Sequence, residues 1–120
     1  MESQVFRGNC HEILPKLPSS VVKAVFLDPP YNIGVDYGSG KEADLLPEEE
    51  FLSRLASVVR ESVRTLTESG SLWFLIPERW ADQVGLMLSS HLPRRNRIIW
   101  RETFGKYQEH RFPSGHRHLF

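Results

Sequence analysis

The sequence predicts an α/β fold in which helices pack on a mostly parallel sheet. Two short apolar segments rich in β-forming residues, 22–27 and 71–76, are typical of buried strands. Between them, from Pro47 to Gly70, apolar residues recur at helical spacing. Because strands that alternate with helices form parallel sheets, we expect one sheet with helices on both faces.

The first predicted strand, 22–27, ends abruptly. Asp28-Pro29-Pro30 follows it, and prolines cannot donate hydrogen bonds to a neighbouring strand. Residues 32–46 contain Asn, Gly, Asp and Ser without a clear period, so we expect a loop there.

Two helices are expected after this loop. The first begins at Pro47, carries acidic residues 48–50 at the positive end of its dipole, and ends at Gly70. The second begins at Pro77 and ends near His91, with apolar residues on one side.

The remaining chain predicts further strands. Residues 95–101 form a third strand, 102–115 a loop, and 116–120 the start of a fourth strand. Because the sequence stops inside this apolar strand signal, we expect residues 1–120 to be a fragment of a longer protein. The three tryptophans are expected to pack in the core; they are Trp73, Trp80 and Trp100.

Length and composition limit the class of protein. A chain of 120 residues and 13.9 kDa has room for one domain. Its composition, with 40% hydrophobic and 25% charged residues, excludes a disordered tail or a collagen-like repeat. A single cysteine, Cys10, excludes an internal disulfide. With neither a signal peptide nor an apolar run of roughly 18 residues, we expect no membrane association and a soluble cytoplasmic protein.

Charge is distributed unevenly along a chain whose net charge is zero. Residues 1–93 carry 8 basic and 13 acidic side chains, whereas residues 94–120 carry 7 basic and 2 acidic ones. Such a basic end is typical of a surface that meets phosphate on one side, and a solvated face is an equally good interpretation. The basic side chains that would follow a DNA backbone are Arg94, Arg95, Arg97, Arg101, Lys106, Arg111 and Arg117, and the DNA-binding assignment falls on Arg94, Arg95, Arg101, Lys106 and Arg111.

The tetrapeptide Asp28-Pro29-Pro30-Tyr31 is the most informative motif. It follows a strand directly, and open α/β sheets bind ligands at the carboxyl ends of their strands. Each proline fixes its own φ at about −65° and restricts the preceding residue, so the carbonyls of Asp28 and Pro29 point in fixed directions. A carboxylate, rigid acceptors and a flat ring suit a planar group that bears an NH2.

The exocyclic amine of a nucleobase is such a group. Two acceptors on its N–H bonds would direct the nitrogen lone pair at an electrophile. Tyr31 would stack on the base, a contact of roughly 1–3 kcal/mol, once the base has left the duplex. A stiff loop with Tyr31 in the core is an equally good interpretation of the spacing alone.

The segment from Val22 to Asn32 resembles the catalytic motif of DNA amino-methyltransferases, the adenine-N6 and cytosine-N4 enzymes that use S-adenosylmethionine. Further segments resemble the same family in the same order. These are Gly8-Asn9-Cys10, Ile13-Leu14, Leu17-Pro18, Arg64-Thr65-Leu66, Gly70-Ser71-Leu72-Trp73-Phe74, Ile98-Ile99-Trp100-Arg101 and His116 to Phe120. The resemblance implies a Rossmann-like methyltransferase fold, incomplete in this chain.

The resemblance also implies roles for individual residues. Asp28 accepts a hydrogen bond from the target amine, the carbonyl of Pro29 accepts the other hydrogen, Pro30 stiffens the turn, and Tyr31 stacks on the base. The cofactor-binding assignment falls on Asn9, Cys10, Asp28 and Pro29, although Asn9 stands where the family usually has an aspartate. The target is more often adenine N6 than cytosine N4 where Asp precedes the prolines.

The catalytic motif lies near the start of the chain, which resembles the family form in which catalysis precedes the Phe-x-Gly-x-Gly cofactor motif. Residues 1–120 therefore resemble a catalytic portion without cofactor motif or target-recognition region, inactive by itself. The resemblance implies double-stranded DNA as partner. It leaves open a homodimer and a restriction endonuclease partner.

Other interpretations remain. If the protein is an enzyme, RNA or the glutamine amides of proteins are alternative targets. If it is not an enzyme, the alternative is a catalytically silent α/β module that binds nucleic acid. Zinc on His110, His116 and His118 is a minor alternative, and no metal is assigned. Cys10 is expected to be a structural thiol and not a nucleophile.

Overall fold

The computed structural model describes residues 3–103, 105 and 109–120. Its strands are β1 (Val22–Leu27), β2 (Leu66–Pro77), β3 (Ile98–Arg101) and β4 (His116–Leu119), and its α-helices are α1 (Cys10–Ile13), α2 (Glu48–Thr65) and α3 (Ala81–Ser89). Short 3-10 turns span Leu14–Lys16, Lys41–Asp44 and Glu78–Trp80. None of the described helices is long and apolar enough to cross a membrane.

The four strands form one mixed sheet in the order β1-β2-β4-β3. β1 and β2 are parallel, with Phe26 opposite Trp73, and β4 is antiparallel to both of its neighbours. Three strands therefore run in one direction, and the predicted α/β class is confirmed. The ends of β1, β2 and β3 and the start of β4 share one edge of the sheet, which we call the carboxyl edge.

The hydrophobic core lies between the sheet and the two longer helices. In the described residues, α2 and α3 pack against the sheet face that carries Phe74 and Ile76, both fully buried. The apolar spacing of α2 places Phe51, Leu55 and Val59 in this core. The opposite face of the sheet carries apolar side chains that are 40–56% exposed, namely Phe26, Trp73, Ile98 and Trp100.

The tryptophans show how strand alternation decides burial. Trp80 is 2% exposed, as predicted, but Trp73 and Trp100 are 40% and 54% exposed, so their predicted burial is wrong. Successive residues of a strand point to opposite faces. Trp73 and Trp100 share the face away from α2 and α3, and hydrophobicity alone does not reveal this.

The first strand is also less buried than its apolar sequence predicts. Each residue of β1 is either partly buried or exposed, so the expectation of a buried strand is wrong here. β1 is the first strand in the order of the sheet and pairs with β2 alone among the described strands. Its range nevertheless matches the prediction, because the prolines that follow Asp28 end it where expected.

The helix predicted from Pro47 to Gly70, which is α2 in the structure, ends earlier than predicted. α2 stops at Thr65, and Leu66 already has extended backbone angles and begins β2. The strand pairing slips here, because Val22 lies opposite Leu66 whereas Ala24 lies opposite Ser71. The extra residues form a bulge in which a Cβ on Gly70 would lie 2.9 Å from the Leu66 side chain and 3.0 Å from the Thr67 carbonyl. Gly70 is therefore required by a bulge and not by a helix end.

Other boundaries also move. Pro77 ends β2 opposite Arg117, so the second helix follows a 3-10 turn and begins at Ala81. The third strand begins at Ile98 instead of 95. Sequence periodicity does not predict α1, because four residues are too few to show a helical period.

Candidate active site

Asp28 lies at the carboxyl edge, immediately after β1. Its side chain is exposed. This exposure agrees with a role in binding, whereas a carboxylate with a purely structural role in the core would be buried. Pro29 is partly buried and Pro30 exposed, and the peptide bonds here are all trans. The β1 strand thus delivers a carboxylate to the place where α/β sheets bind ligands.

Tyr31 is joined to Asp28 through its hydroxyl group. The hydroxyl donates to Asp28 Oδ1 at 2.6 Å. The main-chain carbonyl of Tyr31 accepts a hydrogen bond from Trp80 Nε1 at 2.7 Å, and the half-buried ring packs against the core. The core tryptophan therefore anchors the backbone of the motif, while the hydroxyl fixes one oxygen of the carboxylate.

The loop after Tyr31 is ordered by two buried polar side chains. Asn32 has φ 55° and is 5% exposed; its side chain donates to the Leu46 carbonyl at 2.8 Å and accepts from the Leu46 N–H at 2.6 Å. Asp44, also 5% exposed, accepts the main-chain N–H groups of Asn32, Ile33 and Val35 at 3.0–3.1 Å. Left-handed backbone is tolerated by Asn better than by most residues.

Arg117 lies on β4, two strands away from β1 in the order of the sheet, and its side chain contacts the motif. Its Nη1 donates to the Tyr31 hydroxyl at 3.1 Å, and its Cζ lies 5.3 Å from the centre of the Tyr31 ring. Its Nε also pairs with Glu102 Oε1 at 2.6 Å. One face of the Tyr31 ring is thus covered by a guanidinium group that is itself held by a carboxylate.

Two opposing influences act on the Tyr31 hydroxyl. Burial, and then the hydrogen bond and negative charge of Asp28, raise the pKa of Tyr31 to about 12, although Arg117 acts in the opposite sense. Tyr31 therefore stays protonated at neutral pH and can donate to Asp28.

His116 and His118 lie two residues apart on β4, with their rings edge to face. Their Nε2 atoms are 3.1 Å apart, and Arg97 Nε donates to His118 Nδ1 at 2.9 Å. Burial, followed by the charges of Arg97 and His116, lowers the pKa of His118. His110 lies beside Glu109, and among the described residues no group of three or more His, Cys, Asp or Glu side chains is arranged to hold a metal ion.

The predicted DNA-binding residues do not form one cluster. Arg94, Arg95, Arg101 and Arg111 are exposed, and Lys106 lies outside the described residues. Arg94 and Arg95 precede β3, whereas Arg101 ends it at the carboxyl edge. Arg97 is exposed and donates to His118, and Arg117 is partly buried and donates to the Tyr31 hydroxyl, so both make contacts within the protein. The DNA-binding assignments all stay predictions.

The predicted cofactor contacts lie in two places. Asp28 and Pro29 are at the carboxyl edge, and Asn9 caps the start of α1, where its Oδ1 accepts the N–H of His11 at 3.0 Å. Cys10 is an exposed free thiol at the first position of α1. The cap uses the Asn9 oxygen, so the NH2 group is the hydrogen-bond donor of this side chain outside the cap.

A cavity of about 420 Å³ lies away from the carboxyl edge. It is lined by the first half of β2, the end of α3 and residues 91–98, including Arg94 and Arg95. None of the residues from Asp28 to Tyr31 lines it. We place the candidate site at the carboxyl edge, because that edge holds the exposed carboxylate and its hydrogen-bonded partners.

Sequence reasoning missed three residues that organise this site. Asp44 and Glu102 lie in segments expected to be irregular loops, and the sequence predicts Arg117 only as one of the basic side chains that would follow a DNA backbone. No local pattern reveals Asp44. Arg117 reaches the carboxyl edge because β4 is antiparallel to its neighbours, and no local pattern reveals that either.

At the end of β1, the site combines the carboxylate of Asp28, a corner of two prolines and the aromatic ring of Tyr31. The family profile of DNA methylases, of the N6/N4 type, matches residues 22–120. The chain therefore belongs to the DNA methylase family.

Individual relatives are similar over part of their length. The Type II methyltransferase M.Cfr9I of Citrobacter freundii is 34% identical over 73 residues, which are 58% of this chain and 23% of that protein. The DNA adenine methyltransferase YhdJ of Escherichia coli (strain K12) is 29% identical over 96 residues, 80% of this chain and 32% of that protein. The chain thus spans about a quarter to a third of these curated relatives.

The fold is similar to solved structures. TTHA0409 of Thermus thermophilus, described as a DNA modification methylase, matches with a TM-score of 0.68 and 22% identity over 93% of this chain and 48% of its own. Its complex with S-adenosyl-L-methionine matches with a TM-score of 0.63 and 20% identity over 93% of this chain and 51% of its own. These matches confirm the incomplete Rossmann-like methyltransferase fold.

Proposed function

We propose that residues 1–120 form the catalytic portion of a DNA methyltransferase that transfers a methyl group from S-adenosylmethionine to the exocyclic amine of a flipped base. The observation that carries this proposal is the exposed Asp28 carboxylate at the carboxyl edge, with one oxygen held by the Tyr31 hydroxyl, in a chain of the DNA methylase family. The target we propose is N6 of adenine, and N4 of cytosine is the alternative.

Asp28 and Pro29 act on the amine. Tyr31 holds Oδ1 of Asp28, so Oδ2 accepts one N–H of the target amine while the Pro29 main-chain carbonyl accepts the other. These two acceptors direct the nitrogen lone pair at the methyl carbon. As the nitrogen–carbon bond forms, the carbon–sulfur bond breaks, and Asp28 takes the surplus amine proton before it passes to solvent.

The residues at the carboxyl edge fit the cofactor. S-adenosylmethionine supplies an electrophilic methyl group on a positively charged sulfur. The exposed carboxylate of Asp28 suits that charge, and Pro29 adds a rigid acceptor. We assign the adenine end to Asn9 and Cys10, with the Asn9 NH2 as donor because its oxygen already caps α1.

The flipped base is placed by Tyr31. Arg117 covers one face of the ring, so we assign base stacking to the part of the ring that Arg117 leaves open. The preference for adenine rests on Asp28 itself, and the similarity to a protein named DNA adenine methyltransferase supports it.

Double-stranded DNA is the proposed partner. We assign its backbone contacts to Arg94, Arg95, Arg101, Lys106 and Arg111, so affinity should fall steeply with salt. A restriction endonuclease partner is proposed because several relatives carry the name Type II methyltransferase.

The experiment uses the full-length protein, duplex DNA and S-adenosylmethionine labelled in the methyl group. Digestion of the DNA to nucleosides and mass spectrometry then identify N6-methyladenine or N4-methylcytosine. Asp28→Ala should lower the rate by about a hundredfold or more. Asp36→Ala removes an exposed carboxylate from the neighbouring loop and is the matched control, with an unchanged rate expected.

The outcomes separate the alternatives. Full activity in Asp28→Ala would remove this carboxylate from the mechanism. A folded wild-type protein that binds DNA in a salt-dependent way and transfers no methyl group would favour the silent nucleic-acid-binding module.

A further inference from the structure

Arg117 makes three contacts at the candidate site with one side chain. Its Nη1 donates to the Tyr31 hydroxyl at 3.1 Å, its guanidinium lies over the Tyr31 ring at 5.3 Å, and its Nε pairs with Glu102 at 2.6 Å. A planar guanidinium can stack and donate from several N–H groups at once, which an ammonium cannot do. These contacts define a hydrogen-bonded chain from Glu102 through Arg117 and Tyr31 to Asp28.

The contacts join distant parts of the sequence. Arg117 and Tyr31 are 86 residues apart, and they meet because β4 runs antiparallel between β2 and β3 and starts at the carboxyl edge. The prolines and Trp80 hold the backbone of the motif, whereas Arg117 and Asp28 hold the Tyr31 hydroxyl. The ring and hydroxyl of Tyr31 are therefore oriented by a side chain outside the motif.

We propose that Arg117 is a positioning residue for methyl transfer: it holds the Tyr31 hydroxyl so that this hydroxyl fixes the Asp28 carboxylate for the target amine. This inference rests on the proposed function. The positive charge beside the phenol polarises its O–H bond, which strengthens the hydrogen bond to Asp28 Oδ1 at 2.6 Å. Arg117 acts through Tyr31 and makes no contact of its own with the reacting amine.

The experiment measures single-turnover methyl transfer by the full-length protein. Arg117→Met should lower the rate constant by about tenfold, because it removes one charge-assisted hydrogen bond. The KM for DNA should stay unchanged. Arg117→Lys, which keeps the charge, should recover part of the rate. Arg54→Met removes a more exposed arginine that also pairs with a carboxylate, Glu50 on α2, and it should leave the rate unchanged.

A double variant tests whether Arg117 acts through Tyr31. If it does, Arg117→Met should cost nothing further in the presence of Tyr31→Phe, because the hydroxyl is already absent. Losses that multiply would overturn the proposal. So would a raised KM for DNA together with a shallower salt dependence, since these indicate a phosphate contact.

A second readout separates this inference from the proposed function. In protein labelled with ¹³C at the tyrosine Cζ, the Tyr31 signal should shift in Arg117→Met and stay in place in Arg54→Met. If the folded wild-type protein transfers no methyl group, the proposed function fails while this shift still reports the contact. An unshifted Tyr31 signal would overturn the contact itself.

Discussion

The carboxylate of Asp44 accepts a hydrogen bond from the main-chain N–H of Asn32 at 3.1 Å, across 12 residues of sequence. The same carboxylate also accepts from Ile33 and Val35. One buried side chain therefore satisfies three N–H groups in the segment that directly follows Tyr31. This arrangement holds the far side of the Asp-Pro-Pro-Tyr corner in place.

Replacement of Asp44 should destabilise this segment. Asp44→Ala would leave three N–H groups without their acceptor, and we expect the free energy of unfolding to fall by about 3 kcal/mol. Urea denaturation followed by circular dichroism measures the change. Asp36→Ala is the control, because Asp36 accepts from Gly38 and Gly40 in an exposed turn, where water replaces it. Equal losses in the two variants would contradict the role of Asp44.

Trp80 connects the hydrophobic core to the candidate site. It is 2% exposed, its ring centre is 4.8 Å from that of Phe51, and its Nε1 donates to the Tyr31 carbonyl. Trp80→Phe keeps an aromatic ring but removes the donor and some volume, so we expect a loss of about 2 kcal/mol of stability. Thermal unfolding and single-turnover methyl transfer should both show the effect.

The exposed tryptophan of β3 provides the control for this substitution. Trp100 is 54% exposed, so Trp100→Phe should change stability by no more than about 0.5 kcal/mol. A loss as large as that of Trp80→Phe would show that burial does not explain the difference.

The sequence predicts those features that depend on local pattern. β1 is a short apolar run bounded by prolines, and its range and the position of Asp28 after it are confirmed. The apolar spacing of α2 correctly predicts its buried face, because this spacing follows from helical geometry. The predicted end of that helix was wrong, since Gly70 serves a strand bulge that only the pairing with β1 reveals.

The long-range partners of the segment from Tyr31 to Val35 depend on topology and could not be predicted. Asp44 lies in a loop without a period and Arg117 in the short strand β4, and each contacts this segment across a long separation in sequence. Their contacts follow from the path of a loop and from the antiparallel insertion of β4 between β2 and β3. A single sequence contains no local signal for either.

The buried state of His118 gives the protein a pH-dependent stability. Burial first, and then the charges of Arg97 and His116, lower the pKa of His118 below its ordinary value of 6.5, while Glu78 and Asp82 oppose this. The unfolded chain therefore binds a proton more readily than the folded chain. The contribution is fully present above about pH 6.5 and is lost as the pH falls toward the lowered pKa.

Thermal unfolding at two pH values tests the role of His118. The melting temperature of the wild-type protein should be lower at about pH 5.5 than at about pH 7.5, and His118→Gln should show a smaller difference. His110→Gln, which alters an exposed imidazole, should keep the wild-type difference. An unchanged pH dependence in His118→Gln would assign the effect to other groups.

Tyr31 combines two roles that substitutions can separate. Its hydroxyl contacts Asp28 and Arg117, and its ring provides the proposed stacking surface. Tyr31→Phe should lower the methyl-transfer rate about tenfold through loss of the hydroxyl contacts. Tyr31→Ala should lower it at least about fivefold further, because stacking contributes roughly 1–3 kcal/mol. Equal losses in the two variants would contradict the stacking role, and a wild-type rate in Tyr31→Phe would contradict the hydroxyl role.

The pH dependence of the rate gives a second test of the Tyr31 hydroxyl. Because burial and then Asp28 raise the pKa of Tyr31 to about 12, this group keeps its proton well above neutral pH. Methyl transfer by the wild-type protein should therefore show no loss from Tyr31 ionisation up to about pH 10, where an ordinary tyrosine is half ionised. A fall in rate near pH 10 that disappears in Tyr31→Phe would show that the hydroxyl is not held by Asp28 as the structure describes.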